Sequence, residues 1–137
     1  AVIVMASFTL FHSHAAFAQV RAKAEVACRP AVEKLQYDCI IKLANSRTNE
    51  RLSGLDLMVG ADMPSMPAAH GVRPVKAEED QEKGTYKARI VLEMYGDWAL
   101  HVDLIGPVRD RVVKVLRFER DRVAEPTSAR TPAHQRH

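Results

Sequence analysis

Residues 84–106 read GTYKARIVLEMYGDWALHVDLIG, and the fold turns on how they are parsed. In the first half, Tyr86, Ala88, Ile90, Leu92 and Met94 recur at every second position. Lys87, Arg89 and Glu93 fall between them, with Val91 the one exception. After Gly96-Asp97, the residues Trp98, Leu100, Val102 and Leu104 alternate with His101 and Asp103 until Gly106-Pro107. Successive side chains of an extended chain point to opposite faces, so a period of two marks a strand with one buried face. Two such runs around a Gly-Asp turn predict a β-hairpin.

The same reading extends outward. Tyr37, Cys39, Ile41 and Leu43 share a face within YDCIIKLA (37–44), and the polar stretch Asn45 to Asn49 reads as a turn. Leu55, Leu57 and Val59 alternate with Asp56, Met58 and Gly60. Ala24 to Cys28 reads as a first strand, and Arg111 to Glu119 (RVVKVLRFE) as the last. Residues 60–75 contain Pro64, Pro67, Gly71 and Pro74 and are expected to be loop throughout. Short strands separated by turn signals, with no sustained helical period, predict an antiparallel sandwich over residues 19–120. The polar residues 121–137, with Pro126 and Pro132, are expected to form a disordered tail.

The N-terminal stretch VIVMASFTLF (2–11) is apolar and uncharged, and Ala16-Phe17-Ala18 follows it. A run this short falls below the ~20 residues that span a bilayer. With an A-x-A site behind it, it reads as a signal peptide over residues 1–18. The basic segment that usually precedes such a run is missing and the first residue is Ala1, so the start reads as clipped. The mature chain, from about Gln19, is expected to be exported to the periplasm, with no direct membrane insertion after cleavage. Net charge is +3, with acids and bases interspersed as in Lys76 to Lys83. No basic stripe with interleaved aromatics exists, which argues against nucleic acid as a partner. The two cysteines, Cys28 and Cys39, suit a disulfide in an exported protein. Buried free thiols or a thiolate metal pair are the other readings.

The segment Asp62-Met63-Pro64-Ser65-Met66-Pro67-Ala68-Ala69-His70 carries the candidate chemistry. Methionine ordinarily fills cores. Here the prolines keep Met63 and Met66 out of regular structure, beside the imidazole of His70. Thioether sulfur is soft and imidazole borderline, a pairing that suits Cu(I), whereas zinc sites favour Cys and His and calcium or magnesium sites favour oxygen. Thioethers also need no deprotonation before they ligate. Met94, near Gly96, is a candidate fourth metal ligand. Met58 reads as solvent-facing or near the loop, and His101 as an exposed residue of a polar strand face. The competing reading has Met63 and Met66 capping the sandwich core, with His70 an ordinary loop residue.

Residues 54–118 resemble FixH-like and YtkA-like domains. The resemblance rests on GLDLMVGADMPSMPAAH (54–70), on Gly84 and Tyr86 opening a strand, on the Met94-Tyr95-Gly96-Asp97-Trp98 turn, and on the closing strand Val112 to Phe118. It implies an all-β fold, an immunoglobulin-like antiparallel β-sandwich of about seven short strands, that handles copper outside the cytoplasm. It also implies Met63, Met66 and His70 as metal ligands and Trp98 as a structural residue. Related sequences often carry a further Met after the second Pro, where this chain has Ala68. The leading expectation is a Cu(I) carrier or buffer serving copper tolerance. The alternative is a docking module for a membrane efflux pump or an oxidase-assembly protein, with the Met loop as its contact surface. No nucleophile elbow and no glycine-rich phosphate loop is present, so an enzyme is not expected.

Overall fold

A computed structural model describes residues 19–126. The segment read as a signal peptide, together with His12 and His14, lies outside these residues. So do residues 127–137, with His134 and His137. Eight strands run in chain order: β1 (Ala22–Pro30), β2 (Gln36–Asn45), β3 (Asp56–Asp62), β4 (Gly71–Glu79), β5 (Thr85–Val91), β6 (Gly96–Gly106), β7 (Asp110–Phe118) and β8 (Val123–Ala124). Their lateral order is β1-β2-β5-β4-β3-β6-β7-β8, and every neighbouring pair is antiparallel.

The result is an all-β sandwich that is almost a closed barrel. One layer holds β1, β2 and β5; the other holds β3, β6, β7 and β8. Strand β4 joins them. Its residues from Gly71 to Ala77 pair with β3, and Glu78 and Glu79 pair with Lys87 and Tyr86 of β5. At the opposite edge β1 lies along β7 and β8. There the Ala22 N–H donates to the Asp110 carboxylate at 2.8 Å.

The alternation read from the sequence sets which face is buried. Tyr37, Cys39, Ile41 and Leu43 of β2 meet Leu57 and Val59 of β3 and Trp98, Leu100, Val102 and Leu104 of β6 in one core. Tyr37 and Phe118 pack edge to face, with ring centroids 4.8 Å apart. The Tyr37 hydroxyl donates to the Glu119 carbonyl at 2.7 Å. Burial first, and the nearby Tyr95 second, push the Tyr37 pKa up to about 12. An unfolded tyrosine releases its proton near pH ~10. The stabilisation tied to protonated Tyr37 is therefore complete below that pH and is lost as pH rises toward the folded value. Urea midpoints measured at rising alkaline pH should fall in that window in the wild type, and less so in Tyr37→Phe.

Two sequence expectations are overturned. Residues 84–106 do not form a hairpin: β5 pairs with β2 and β4, and β6 pairs with β3 and β7. The short connection at residues 92–95 crosses from one layer to the other. An apolar face toward the core is required of both strands in either arrangement, so the alternation does not distinguish them. The second correction concerns residues 60–75, of which only 63–70 are loop, because β3 runs to Asp62 and β4 starts at Gly71. Pro74 is accommodated where the β3–β4 register shifts between Val59 and Ala61. A proline lacks the N–H that a ladder needs, and a bulge is where that loss is tolerated. Gly60 faces the proline ring, and a Cβ there would already touch Pro74 Cγ at 3.4 Å. In addition, β8 adds two residues to the sheet from a stretch read as tail.

Cys28 and Cys39 form a disulfide between directly opposed positions of β1 and β2, 4.0 Å apart at Cα. Both cysteines of the chain are thereby used. A bridge closing so small a loop stabilises by about 2–3 kcal/mol through the unfolded state. The double variant Cys28→Ala/Cys39→Ala should lose that amount in urea unfolding, and reductant should lower the wild type alone.

Candidate metal centre

Asp62 and Gly71 are the last paired residues of the β3–β4 hairpin, so the Met/His segment is its tip. Two consecutive turns shape it. The Met66 N–H donates to the Met63 carbonyl at 3.1 Å, and the Ala69 N–H donates to the Met66 carbonyl at 3.2 Å. A proline occupies the second position of each turn, where its fixed φ is favourable. In the second turn Ala68 has φ +65°, the type II conformation that glycine adopts most easily. Ala68 is exposed, so Ala68→Gly removes strain without disturbing packing. The variant should gain about 0.5–1 kcal/mol in thermal or urea unfolding, because a Cβ in this region costs more than glycine's extra chain entropy.

The four candidate ligands differ in placement. Met63 is 5% exposed and belongs to the hydrophobic core. Its Cε lies against Gly96, where a Cβ would approach it to 3.2 Å. Met66 is half-buried and packs on the core from the loop side. The His70 side chain is 30% exposed, and its Nδ1 lies 2.6 Å from Glu93 Oε2. Met94, 36% exposed, sits in the 92–95 connection beside Glu93, and its carbonyl accepts the Trp98 Nε1–H at 3.0 Å. The contacts Met63–Gly96 and His70–Glu93 bring the two loops together at one end of the sandwich. Met63, Met66, His70 and Met94 therefore share that end.

Two other residues are placed elsewhere. Met58 is on the outward side of β3, opposite Lys76 and Asp103. His101 is opposite Gly60 on β6 and is only partly exposed. Its Nε2 lies 2.9 Å from Asp62 Oδ2, an ion-pair distance, but the angle does not make a hydrogen bond.

The disulfide removes thiolates from the donor inventory. Among the described residues no three His, Cys, Asp or Glu side chains gather into a metal site. The thioethers and the imidazole at the loop end fit a soft cation better than zinc or calcium. Glu93 is the member the sequence reading did not single out. As a carboxylate in a strand alternation, separated from His70 by 23 positions, it gave no signal of the pairing.

The YtkA-like family model matches residues 21–103, more than half of the chain. The chain belongs to the YtkA-like family. The YtkA-like match runs from β1 into β6 and so takes in the disulfide, the whole Met/His loop and the Glu93-Met94 connection. No curated protein and no solved structure matches the chain.

Proposed function

We propose that this YtkA-like domain binds a soft metal ion, Cu(I) first among them, and acts outside the cytoplasm as a copper carrier or buffer. The reading is supported by one observation above the rest. The hairpin tip 63–70 carries two thioethers and an imidazole, and a third thioether, Met94, lies in the loop that packs against it. Thioether donors hold Cu(I) without losing protons and without the free thiols that an oxidising compartment would consume. A membrane efflux or oxidase-assembly protein is the kind of partner to which such a carrier would pass its ion.

The test is an anaerobic Cu(I) titration of the folded chain against a chromogenic chelator, with Ag(I) and Zn(II) in parallel. One tightly bound equivalent, displaced by Ag(I) and not by Zn(II), is the expected result. Absence of binding above background would end the carrier reading.

A specific observation favours a second reading, a docking module with no metal of its own. Met63 is packed in the core. Val32, Met94 and Tyr95 are exposed apolar residues of the neighbouring loops. Methionine-containing surfaces make adaptable protein contacts. The same titration separates the two readings.

A further inference from the structure

We propose that Glu93 is a positioning residue for the metal centre: it fixes the proton of His70 on Nδ1 and leaves Nε2 as the donor. The inference rests on the soft-metal reading above and adds to it a residue that does not touch the ion. An ionised carboxylate only accepts hydrogen bonds, so the 2.6 Å contact with Glu93 Oε2 requires that Nδ1 carry the hydrogen. A neutral ring protonated at Nδ1 keeps its lone pair on Nε2, and among the described residues no group bonds that atom. Without a partner, imidazole in water prefers the opposite tautomer, which would hide the lone pair behind a hydrogen. The carboxylate also restrains the rotation of the ring, the usual service of a carboxylate behind a ligating histidine.

The placement has a further consequence. His70 is the last residue before β4, and Glu93 belongs to the connection that carries Met94. The contact therefore ties the loop that holds Met63 and Met66 to the loop that holds Met94. With Glu93 engaged by Nδ1, the candidate donors are three thioethers and one imidazole nitrogen, none of them an anion. Such a set favours a soft monovalent cation over a divalent one that wants carboxylate oxygen.

The experiment combines nitrogen-15 NMR of the His70 ring in the metal-free protein with Ag(I) titration, using Glu93→Ala, Glu93→Gln and His70→Ala. The Gln side-chain oxygen can still accept from Nδ1–H and is the conservative rescue. Expected are the Nδ1–H tautomer in the wild type and in Glu93→Gln, and a shift to Nε2–H in Glu93→Ala. Ag(I) affinity should fall about 10–100-fold in Glu93→Ala and stay close to wild type in Glu93→Gln. Loss of affinity in His70→Ala with none in Glu93→Ala, whatever the tautomer, overturns the proposal and leaves the metal reading intact. A wild type that binds no Ag(I) or Cu(I) removes the metal reading, and with it a donor role for His70.

Discussion

Trp98→Ala should lower the unfolding free energy by about 3–5 kcal/mol, the largest stability loss expected of any single substitution in this chain. Trp98 is 0% exposed and heads the fully buried side chains by volume. It stands near the start of β6, one strand from each of β3 and β7. Truncation removes the apolar contact of the ring and leaves a cavity that flanking strands in a nearly closed sandwich cannot fill. It also strands the Met94 carbonyl, which takes the indole N–H at 3.0 Å. Trp98→Phe separates the two effects. The phenyl ring keeps most of the packing, so the remaining loss, about 1–2 kcal/mol, measures the hydrogen bond and the partial void. Urea unfolding checks both variants. A shifted midpoint with an unchanged slope reports stability alone. A near-neutral Trp98→Ala would contradict the burial of the ring. Stabilities of small domains are about 5–15 kcal/mol, so the alanine variant should be marginal at best.

Trp98 also shows how far the sequence reveals the fold. Its burial follows from period two, as does that of Tyr37, Ile41, Leu57, Val59 and Leu100, because a half-buried strand must alternate. Pairing does not follow. The run from Tyr86 to Leu104 looks the same as a hairpin or as a crossing between layers, since both put the same residues inside. Strand β4 was obscured by Pro74, an ordinary strand breaker that here sits at a register shift facing Gly60. The disulfide was readable as one of several possibilities, and opposed positions on β1 and β2 now account for it.

The candidate site was legible in part for the same reasons. Pro64 and Pro67 mark the tip 63–70 as irregular, so the loop was found, but inside the wider stretch 60–75 expected of it. Met63 illustrates the limit. It continues the inward series Leu57, Val59, Ala61 by one more step of two, and that phase predicts its burial. The proline after it drew attention to the turn instead. Glu93 could not be found from spacing, because the two loops meet only once the chain has crossed between layers.

Binding and packing at Met63 and Met66 should therefore separate by choice of variant. Met66 is half-buried at the loop, so Met66→Leu keeps volume and removes only the sulfur. It should weaken Cu(I) binding by about tenfold or more, a cost of ~1.4 kcal/mol or above, with the thermal midpoint unchanged. Met63→Ala is a poor probe, because it opens a cavity beside Gly96 and should destabilise by about 2–5 kcal/mol even if no metal is ever bound. Met63→Leu is the informative change. A swap of similar volume costs under about 1.5 kcal/mol, so a folded variant with tenfold weaker Cu(I) binding assigns the Met63 sulfur to the ion. The flexible thioether chain lets the sulfur turn from the core edge toward the loop, and weaker binding is the expected result. Full affinity in Met63→Leu beside reduced affinity in Met66→Leu would instead make Met63 a core residue only. The donor set would then be Met66, His70 and Met94, drawn from both loops, and the His70–Glu93 contact that joins those loops would matter more to affinity than any residue of the core.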